Sequence, residues 1–281
     1  MKKIIKWLII IFLVLLLLII YARYVGTSGL VTKEYTIYDK DVSTNFDGMK
    51  VVHLSDLHYN RAININKVKN IVNEINLINP DIVVFTGDLI DRDASLSDSD
   101  YDDLANSLIK INAKYGKYAV LGNHDYKKRD KIINLYNDIG FKYLENDYDI
   151  IYGDDNSQIF IGGIGNVSYN KDDIDKTLEK IDSENQYRII LVHEPDISDK
   201  IISKYNVDLI LAGHSHNGQV RLPFIGAIVK PPHAKKYYDN YYNLKGTKLY
   251  VSSGIGVSNV NYRLWNRPSI NFYRINKETN K

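Results

Sequence analysis

Five largely apolar runs, each followed directly by a short polar segment, constrain the fold of this chain more than any other feature. The runs VVHL, IVVFT, YAVL, RIIL and LILA precede the polar segments SDLH, GDLID, GNHD, VHEPD and GHSH, in chain order. Segments with apolar residues at helical spacing separate them, such as residues 65–79 and a segment near residues 172–183. Continuous apolar runs are typical of strands buried on both faces, so this alternation predicts an α/β fold with a parallel or mixed sheet.

The polar segments hold most of the histidines of the chain. The carboxyl ends of strands line the ligand crevice in open α/β sheets, so we expect the five segments to meet. Each segment alone also fits a turn, a helix cap or a hydrogen-bonded core histidine. The concentration of five of the seven histidines in them instead favours a shared site: His58, His124, His193, His214 and His216.

The two-residue spacing within two of these segments adds a geometric expectation. Asp56 and His58 are two positions apart, as are His214 and His216. Side chains at this spacing point to the same face of an extended backbone. The spacing therefore predicts that each pair is presented toward the shared site by an extended segment.

Composition excludes several kinds of chemistry. The chain has no cysteine, so it has no disulfide, no zinc–thiolate site and no thiol nucleophile. Four basic residues lie within residues 1–26, which leaves 32 basic against 34 acidic residues, a net charge of −2, for residues 27–281. Residues 27–281 therefore lack the overall positive charge that is typical of nucleic-acid-binding proteins, and nucleic acid is not an expected partner.

The amino terminus carries an apolar segment of membrane-spanning length. Ile4–Ala22 comprises 19 residues, and a helix of that length spans roughly 28 Å. Aromatic residues flank it and no clear cleavage site follows, which favours an uncleaved anchor; a cleaved signal peptide and a secreted form are the alternative. The positive-inside rule places the amino terminus in the cytoplasm and the body outside, because three lysines lie before Leu8, where the unbroken apolar run begins: Lys2, Lys3 and Lys6.

The order of the five polar segments resembles the calcineurin-like metallophosphoesterase superfamily. The matching motifs, over residues 49 to about 220, are D-x-H at Asp56–His58, G-D at Gly87–Asp88, G-N-H-D at Gly122–Asp125, the single His193, and G-H-x-H at Gly213–His216. The later stretches GQVRLPFIGA, VSSGIGVS and RLWNRPSINFYRI are similar to a bacterial membrane-associated subgroup. That subgroup usually reads G-H-T-H-G-G-Q, from which Ser215 and Asn217 depart. An asparagine at the glycine position has less freedom to adopt a positive φ.

The resemblance implies a fold and a set of site residues. The implied fold is a four-layer αββα sandwich with two mixed sheets, preceded by one transmembrane helix. Two divalent metal ions are implied, and a ligand set of nitrogen and oxygen without thiolate suits Mn, Fe or Zn better than Mg or Ca. The implied ligands are Asp56, His58 and His216 for the first metal, Asn123, His193 and His214 for the second, and Asp88 as the bridge. His124 is implied to meet the phosphate or the leaving group, and Asp125 to orient it.

These features together predict a membrane-anchored dimetal phosphohydrolase that acts by attack of metal-activated hydroxide. Phosphodiesters or lipid-linked pyrophosphates are the expected substrates; the alternatives are a phosphomonoesterase and a surface binding protein without turnover. The expected division is an anchor at 1–26, a linker and first strand at 27–48, and a catalytic domain at 49–281. No sequence feature predicts an oligomeric state.

Three further features are ambiguous in the sequence. Arg221 and Arg263 fit either a contact with phosphate or a surface ion pair. The stretch Lys235–Asn243 is basic and rich in tyrosine. It fits a membrane interface, a substrate rim or an ordinary surface loop.

Overall fold

Two six-stranded mixed sheets pack face to face, with helices on their outer faces. The computed structural model describes residues 1–154, 156–181 and 186–278. Within these ranges the strands are β1 (Val31–Asp39), β2 (Met49–Leu54), β3 (Ile82–Phe85), β4 (Gly116–Ala119), β5 (Lys142–Tyr143), β6 (Asp147–Tyr152), β7 (Gln158–Gly163), β8 (Gln186–Leu191), β9 (Leu209–Ala212), β10 (Arg221–Leu222), β11 (Gly226–Ala227), β12 (Tyr241–Leu244), β13 (Thr247–Val251) and β14 (Ser269–Lys277). The predicted four-layer αββα sandwich is confirmed.

Six α-helices accompany these strands in the described ranges. They are α1 (Lys2–Ile20), α2 (Ile65–Ile78), α3 (Asp98–Leu108), α4 (Arg129–Asp138), α5 (Ile174–Leu178) and α6 (Ser198–Lys204). The helix α5 is shorter than the helix that the sequence predicts near residues 172–183, of which residues 182 and 183 lie outside the described ranges. The last three residues of the predicted catalytic domain, 279–281, also lie outside them.

The strand order places all the parallel strands of each sheet side by side. The first sheet has the order β1-β14-β2-β3-β4-β5 and the second β12-β13-β9-β8-β7-β6. In the first, β2 to β5 are parallel to one another; in the second, β7, β8, β9 and β13 are parallel. The carboxyl ends of these strands therefore form one edge of each sheet, and that edge is where the polar segments begin.

Apolar side chains fill the space between the sheets and beneath the helices. The inner layer is built from both sheets, for example by Val51 and Ile82 of the first and Ile161 and Leu209 of the second. Outside the first sheet, α2 turns Val68, Ile71, Val72 and Ile75 inward. This is the i, i+3, i+4, i+7 pattern of a helix with one apolar face. Burial on both sides explains why the central strands are continuously apolar.

The amino-terminal helix enters the sandwich at the same edge as the polar segments. The apolar segment Lys2–Val25 is long and apolar enough to cross a membrane, and none of its most apolar window is buried. The strand β1 starts level with the start of β14, where Val31 pairs with Ser269. Because β14 is antiparallel to β2, with Asn271 opposite His53, this start lies at the carboxyl end of β2. Only a few residues therefore separate the helix from the edge that carries the polar segments.

Candidate metal centre

The five polar segments meet between the carboxyl edges of the two sheets. His214 N, after β9, donates to both carboxylate oxygens of Asp56, after β2, at 3.2 and 3.1 Å. His193 Nδ1, after β8, lies 2.7 Å from the carbonyl oxygen of Thr86, after β3. These contacts hold the segments of the two sheets together, and they leave the remaining ring nitrogens of the histidines facing a common centre.

One group of donor atoms is formed by Asp56, His58 and His216. All three residues are buried, and their candidate ligand atoms lie within 4.8 Å of one another. The two imidazole Nε2 atoms are 3.0 Å apart, and His216 Nε2 is 3.4 Å from Asp56 Oδ1. Three nitrogen and oxygen donors that converge at this spacing match one face of the coordination shell of a divalent ion.

A second group surrounds the carboxylate of Asp88. Its Oδ2 lies 3.6 Å from His58 Nε2 and 3.5 Å from His193 Nε2. His193 Nε2 is also 3.0 Å from Asn123 Oδ1. Asp88 thus stands between the two groups of donors, which is the position that a bridging carboxylate needs.

His214 contributes to the second group through a defined ring nitrogen. Its Nε2 lies 2.8 Å from the carbonyl oxygen of Pro232, and its ring centroid is 4.9 Å from that of His193. A carbonyl oxygen can only accept, so Nε2 carries the proton and the lone pair is on Nδ1. A hydrogen bond of this kind orients a metal-binding imidazole and fixes its tautomer.

The electrostatics of the centre fit divalent cations. Burial raises the pKa of Asp56 to about 7 and lowers the pKa of His58 to about 3. Burial also lowers the pKa of His214 to about 4. The imidazoles of His58 and His214 are therefore held neutral, which is the form that binds metal, while burial disfavours the charged form of the Asp56 carboxylate. Cations at this position would supply that charge.

Asp88 and His193 form a close pair whose pKa values are shifted in opposite directions. Burial alone would raise the pKa of Asp88, but the neighbouring His193 holds it well below its usual range. Burial likewise disfavours the charged form of His193. The Asp88 carboxylate nevertheless raises the pKa of His193 well above its usual range. In the absence of a metal, a proton on His193 balances the negative charge of Asp88. A bound cation would balance that charge instead.

The backbone that presents the ligands is left-handed rather than extended. Asp56 and His58 have φ angles of 52° and 44°, and His214 and His216 have φ angles of 65° and 47°. The prediction that extended backbone orients each pair is therefore wrong. The strands β2 and β9 end at Leu54 and Ala212, and tight turns carry the ligands beyond them. Asn217, at the position where the subgroup has glycine, also has a positive φ, of 51°.

Two glycines allow the segments after β3 and β4 to approach each other. A Cβ atom on Gly87 would lie 2.2 Å from the backbone nitrogen of Gly122. A Cβ atom on Gly122 would lie 2.1 Å from Asp88 Oδ1. Only glycine fits at these distances, so the G-D and G-N-H-D motifs are required by contact between them as well as by their side-chain chemistry.

His124 lies beside the first group of donors. Its ring centroid is 4.6 Å from that of His58, and its Nδ1 is 3.4 Å from the backbone nitrogen of Arg92. Burial lowers the pKa of His124 below the usual range of a histidine. The neutral ring with Nδ1 facing an N–H donor carries its proton on Nε2.

Asp125 contacts backbone rather than the ring of His124. Its two carboxylate oxygens accept hydrogen bonds from the backbone nitrogens of Asp88, Leu89 and Gly122, at 2.8 to 2.9 Å. This differs from the implied role of orienting His124 directly. The buried carboxylate instead ties the segment after β3 to the segment after β4, and so fixes the position of Asp88.

The sequence analysis missed two polar residues of the centre. Asp91 Oδ2 lies 3.7 Å from His58 Nδ1 and accepts from Arg61 Nη1 at 3.1 Å. Ser55 Oγ donates to Asp56 Oδ2 at 2.6 Å. Both residues lie inside the polar segments themselves, in GDLID and SDLH. Their presence in those segments was the available signal, because a ligating side chain usually has a hydrogen-bonding neighbour.

Arg263 is neither a phosphate contact nor a surface residue. It is fully buried, and its guanidinium donates to the carbonyl oxygens of Ser253, Gly254 and Gly256 at 2.6 to 3.1 Å. Its Nη2 lies 3.3 Å from His216 Nδ1. Both sequence expectations for this residue are therefore wrong: Arg263 packs behind His216 and holds the loop that flanks it.

The other two ambiguous features form mainly intramolecular contacts. Arg221 Nη2 pairs with Asp239 at 2.7 Å, so the surface ion pair expected as one alternative is present. In the stretch Lys235–Asn243, three backbone nitrogens donate to the carboxylate of Asp196. The hydroxyl of Tyr242 accepts from two more backbone nitrogens. These contacts give the stretch a structural role as a folded loop.

The fold and this centre define the class of protein. The model of the calcineurin-like phosphoesterase family matches residues 49–218, more than half of the chain. The chain belongs to this family and is a metal-dependent phosphoesterase. The family is dimetal, which agrees with two groups of donors that have the carboxylate of Asp88 between them.

Individual relatives support this assignment. The metallophosphoesterase YkuE of Bacillus subtilis is 34% identical over 92% of this chain and 90% of its own length. A zebrafish transmembrane protein with a metallophosphoesterase domain is 27% identical over 80% of this chain and 53% of its own. Together with the apolar helix α1, such transmembrane relatives indicate membrane association.

A solved structure supports the fold. The sulfate thiohydrolase SoxB of Thermus thermophilus aligns with a TM-score of 0.52 at 12% identity. The alignment covers 85% of this chain and 58% of that one. At this identity the likeness concerns the fold alone.

Proposed function

We propose that this protein is a membrane-anchored dimetal phosphohydrolase that cleaves phosphodiesters or lipid-linked pyrophosphates. One observation carries the proposal: nitrogen and oxygen donors from five segments converge at the sheet edge where the apolar helix enters the domain. Asp56 and Asp88 supply only two carboxylate charges, so a centre loaded with two divalent ions is net positive. Such a centre suits an anionic phosphate group.

The proposed roles of the donors follow their grouping. We assign one metal to Asp56, His58 and His216, the other to Asn123, His193 and His214, and Asp88 to both. Mn, Fe or Zn suits this set of imidazole, amide and carboxylate ligands. When bound, two such ions neutralise the anionic oxygens of the substrate and supply a hydroxide nucleophile.

Two residues of the GNHD segment are proposed to act without binding metal. His124 donates a hydrogen bond from Nε2–H to the leaving oxygen and so stabilises the negative charge that develops there, since the Arg92 N–H faces its other ring nitrogen. Asp125 acts as a positioning residue that holds Asp88 through their shared backbone contacts. Loss of His124 is therefore expected to act on the leaving oxygen, whereas loss of Asp125 is expected to act on the position of Asp88.

The proposed domain division follows from the same arrangement. We propose that residues 1–26 are the anchor, residues 27–48 a linker with the first strand, and residues 49–281 the catalytic domain.

The excess of lysine before the helix favours a cytoplasmic amino terminus and an external domain. Protease added to intact cells should degrade the domain; full protection in intact cells and degradation only after lysis would contradict this orientation.

The substrate class is tested with two chromogenic esters. The purified full-length chain, in detergent and supplied with Mn²⁺, is expected to hydrolyse bis-(4-nitrophenyl) phosphate with a kcat/KM at least ~10-fold above that for 4-nitrophenyl phosphate. Asp88→Asn protein purified in parallel serves as the blank for contaminating phosphatases. A preference for the monoester would instead favour the phosphomonoesterase alternative. Failure to hydrolyse either ester, with both metals bound, would favour a surface binding protein.

A further inference from the structure

Two neighbouring segments next to the metal centre expose an unusual number of large apolar side chains. We call them together the apolar rim: residues 221–229, which contain the hairpin of β10 and β11, and residues 259–265. Phe224, at the tip of the hairpin, is fully exposed, and Trp265 is 55% exposed. The other exposed apolar side chains of the rim are Ile225, Ile228, Val229, Val260 and Tyr262. A contiguous apolar patch of this kind marks an interaction surface.

The apolar rim is joined to the metal centre on one side. The hairpin begins five residues after His216, and its Arg221 N donates to the carbonyl oxygen of Leu264 at 3.0 Å. Leu264 N in turn donates to the carbonyl oxygen of Gln219 at 3.2 Å. The two segments of the rim are therefore attached to each other and to the turn that presents His216.

The rim is joined to the end of the anchor helix on the other side. Arg263 N donates to the carbonyl oxygen of Ala22 at 2.9 Å, and Arg23 Nη1 donates to the carbonyl oxygen of Asn261 at 3.4 Å. Tyr24 and Val25, in the same part of the chain, are exposed. The end of the anchor helix, with its exposed apolar residues, is therefore attached directly to the rim.

The charge near the rim suits an anionic surface. Residues 217–238 contain four basic residues and no acidic residue, although residues 27–281 as a whole have more acidic than basic residues. Arg221 and Lys236 form ion pairs with Asp239 and Asp199. Lys230 and Lys235 are exposed as well. Exposed aromatic and aliphatic residues next to lysines are typical of protein surfaces that contact the headgroups of anionic lipids.

We propose that the apolar rim inserts into the headgroup region of the bilayer that the anchor spans. The metal centre then opens toward the membrane surface, and the phosphate groups that reach it most readily are those carried by lipids. This inference rests on the proposed anchor. It adds a second contact between the protein and the membrane, and it names lipid phosphates as the substrate class. A bilayer is favoured over a protein partner because the rim is continuous with a helix of membrane-spanning length.

The two tryptophans of the chain allow a direct test. Trp7 lies in the anchor and Trp265 in the rim, so Trp7→Phe leaves Trp265 as the only tryptophan. The full-length variant is reconstituted into vesicles of phosphatidylcholine and phosphatidylglycerol, with or without bromine atoms on the acyl chains near the headgroup. Brominated lipid quenches tryptophan only at short range. We expect Trp265 to lose at least about half of its emission in the brominated vesicles.

Two further substitutions in the Trp7→Phe background locate the contact. Phe224→Asp places a charge at the tip of the hairpin, where aspartate tolerates the φ of 66°. We expect it to abolish most of the quenching, to leave hydrolysis of a soluble diester unchanged, and to lower hydrolysis of a lipid phosphodiester in the vesicles. Tyr152→Asp is the matched control, because Tyr152 is 67% exposed and pairs with Gln158 at the amino end of the parallel strands, away from the rim. It should leave the quenching unchanged.

Three results would overturn the inference. Trp265 unquenched by brominated lipid but accessible to acrylamide would show that the rim faces water. Trp265 protected from both quenchers would show that protein, such as a second copy of the chain, covers the rim. Quenching that survives Phe224→Asp would show that the hairpin does not hold the rim in the bilayer. Extraction of the vesicles with alkaline carbonate tests the anchor separately from the rim. A chain that is released by carbonate contradicts the proposed anchor, whereas the three results above contradict only the proposed insertion of the rim.

Discussion

Asp88→Asn is expected to abolish hydrolysis and metal binding together while the fold persists. The asparagine keeps an oxygen that accepts from His124 N, as Asp88 Oδ1 does at 2.7 Å. It replaces Oδ2, which faces both His58 and His193, by an amide nitrogen that cannot bind a cation. We expect a loss of activity on the order of 10³-fold or more.

The metal content of the Asp88→Asn protein tests its bridging role. Inductively coupled plasma mass spectrometry of the purified variant should show loss of most bound metal, whereas circular dichroism should match that of the wild type after chelation. Asp103→Asn, at an exposed position of α3, is a matched control that should change neither. A variant that retains both metals, or one that is unfolded, would contradict the assignment of Asp88 as a bridging ligand.

His124→Ala is expected to lower kcat about 10²- to 10³-fold without removing metal, because loss of one hydrogen-bond donor to a developing oxyanion costs about this factor. The loss should depend on the leaving group. An ester of 4-nitrophenol, which leaves readily as an anion, needs little stabilisation of its leaving oxygen, so its hydrolysis should fall less than that of an alkyl phosphodiester. The measurement is kcat for both substrates, with metal content determined on the same samples.

A histidine outside the centre provides the control for His124. His233 is exposed and has a φ of 63°, so His233→Asn removes an imidazole from a position that tolerates asparagine. We expect this variant to retain wild-type kcat on both substrates. If His124→Ala emptied the centre of metal, or lowered kcat equally for both leaving groups, His124 would not be the hydrogen-bond donor to the leaving oxygen.

The convergence of the site residues could be predicted from the sequence because it depends on the strand pattern. Each ligand follows an apolar run at a short and regular distance, and parallel strands bring their carboxyl ends to one edge. The structure accordingly brings together all seven candidate ligands and His124. The α/β class and the apolar helix follow from patterns of the same local kind, whereas the four-layer arrangement was implied by the family resemblance.

The geometry within the centre could not be predicted because it depends on contacts between distant segments. The carboxylate of Asp125 binds backbone that lies 36 and 37 positions earlier in the chain. Arg263 is buried by loops that no local pattern connects to it, so the sequence predicts only a phosphate contact or a surface ion pair for this side chain. The apolar rim was missed for the same reason, because its two segments are adjacent only through the pairing of Arg221 with Leu264.

The left-handed backbone of the ligands bears on which ions the centre accepts. Asp56, His58, Asp88, His214 and His216 all have φ between 44° and 65°. Each such residue costs roughly 1–2 kcal/mol relative to ordinary backbone, and the strands and hydrogen bonds around the centre maintain all five. Ligands that are held in this way cannot move apart to suit a larger ion. We therefore expect the protein to discriminate between ions by ionic radius, as a rigid macrocycle does, and to exclude Ca²⁺ where Mn²⁺, Fe²⁺ or Zn²⁺ fits.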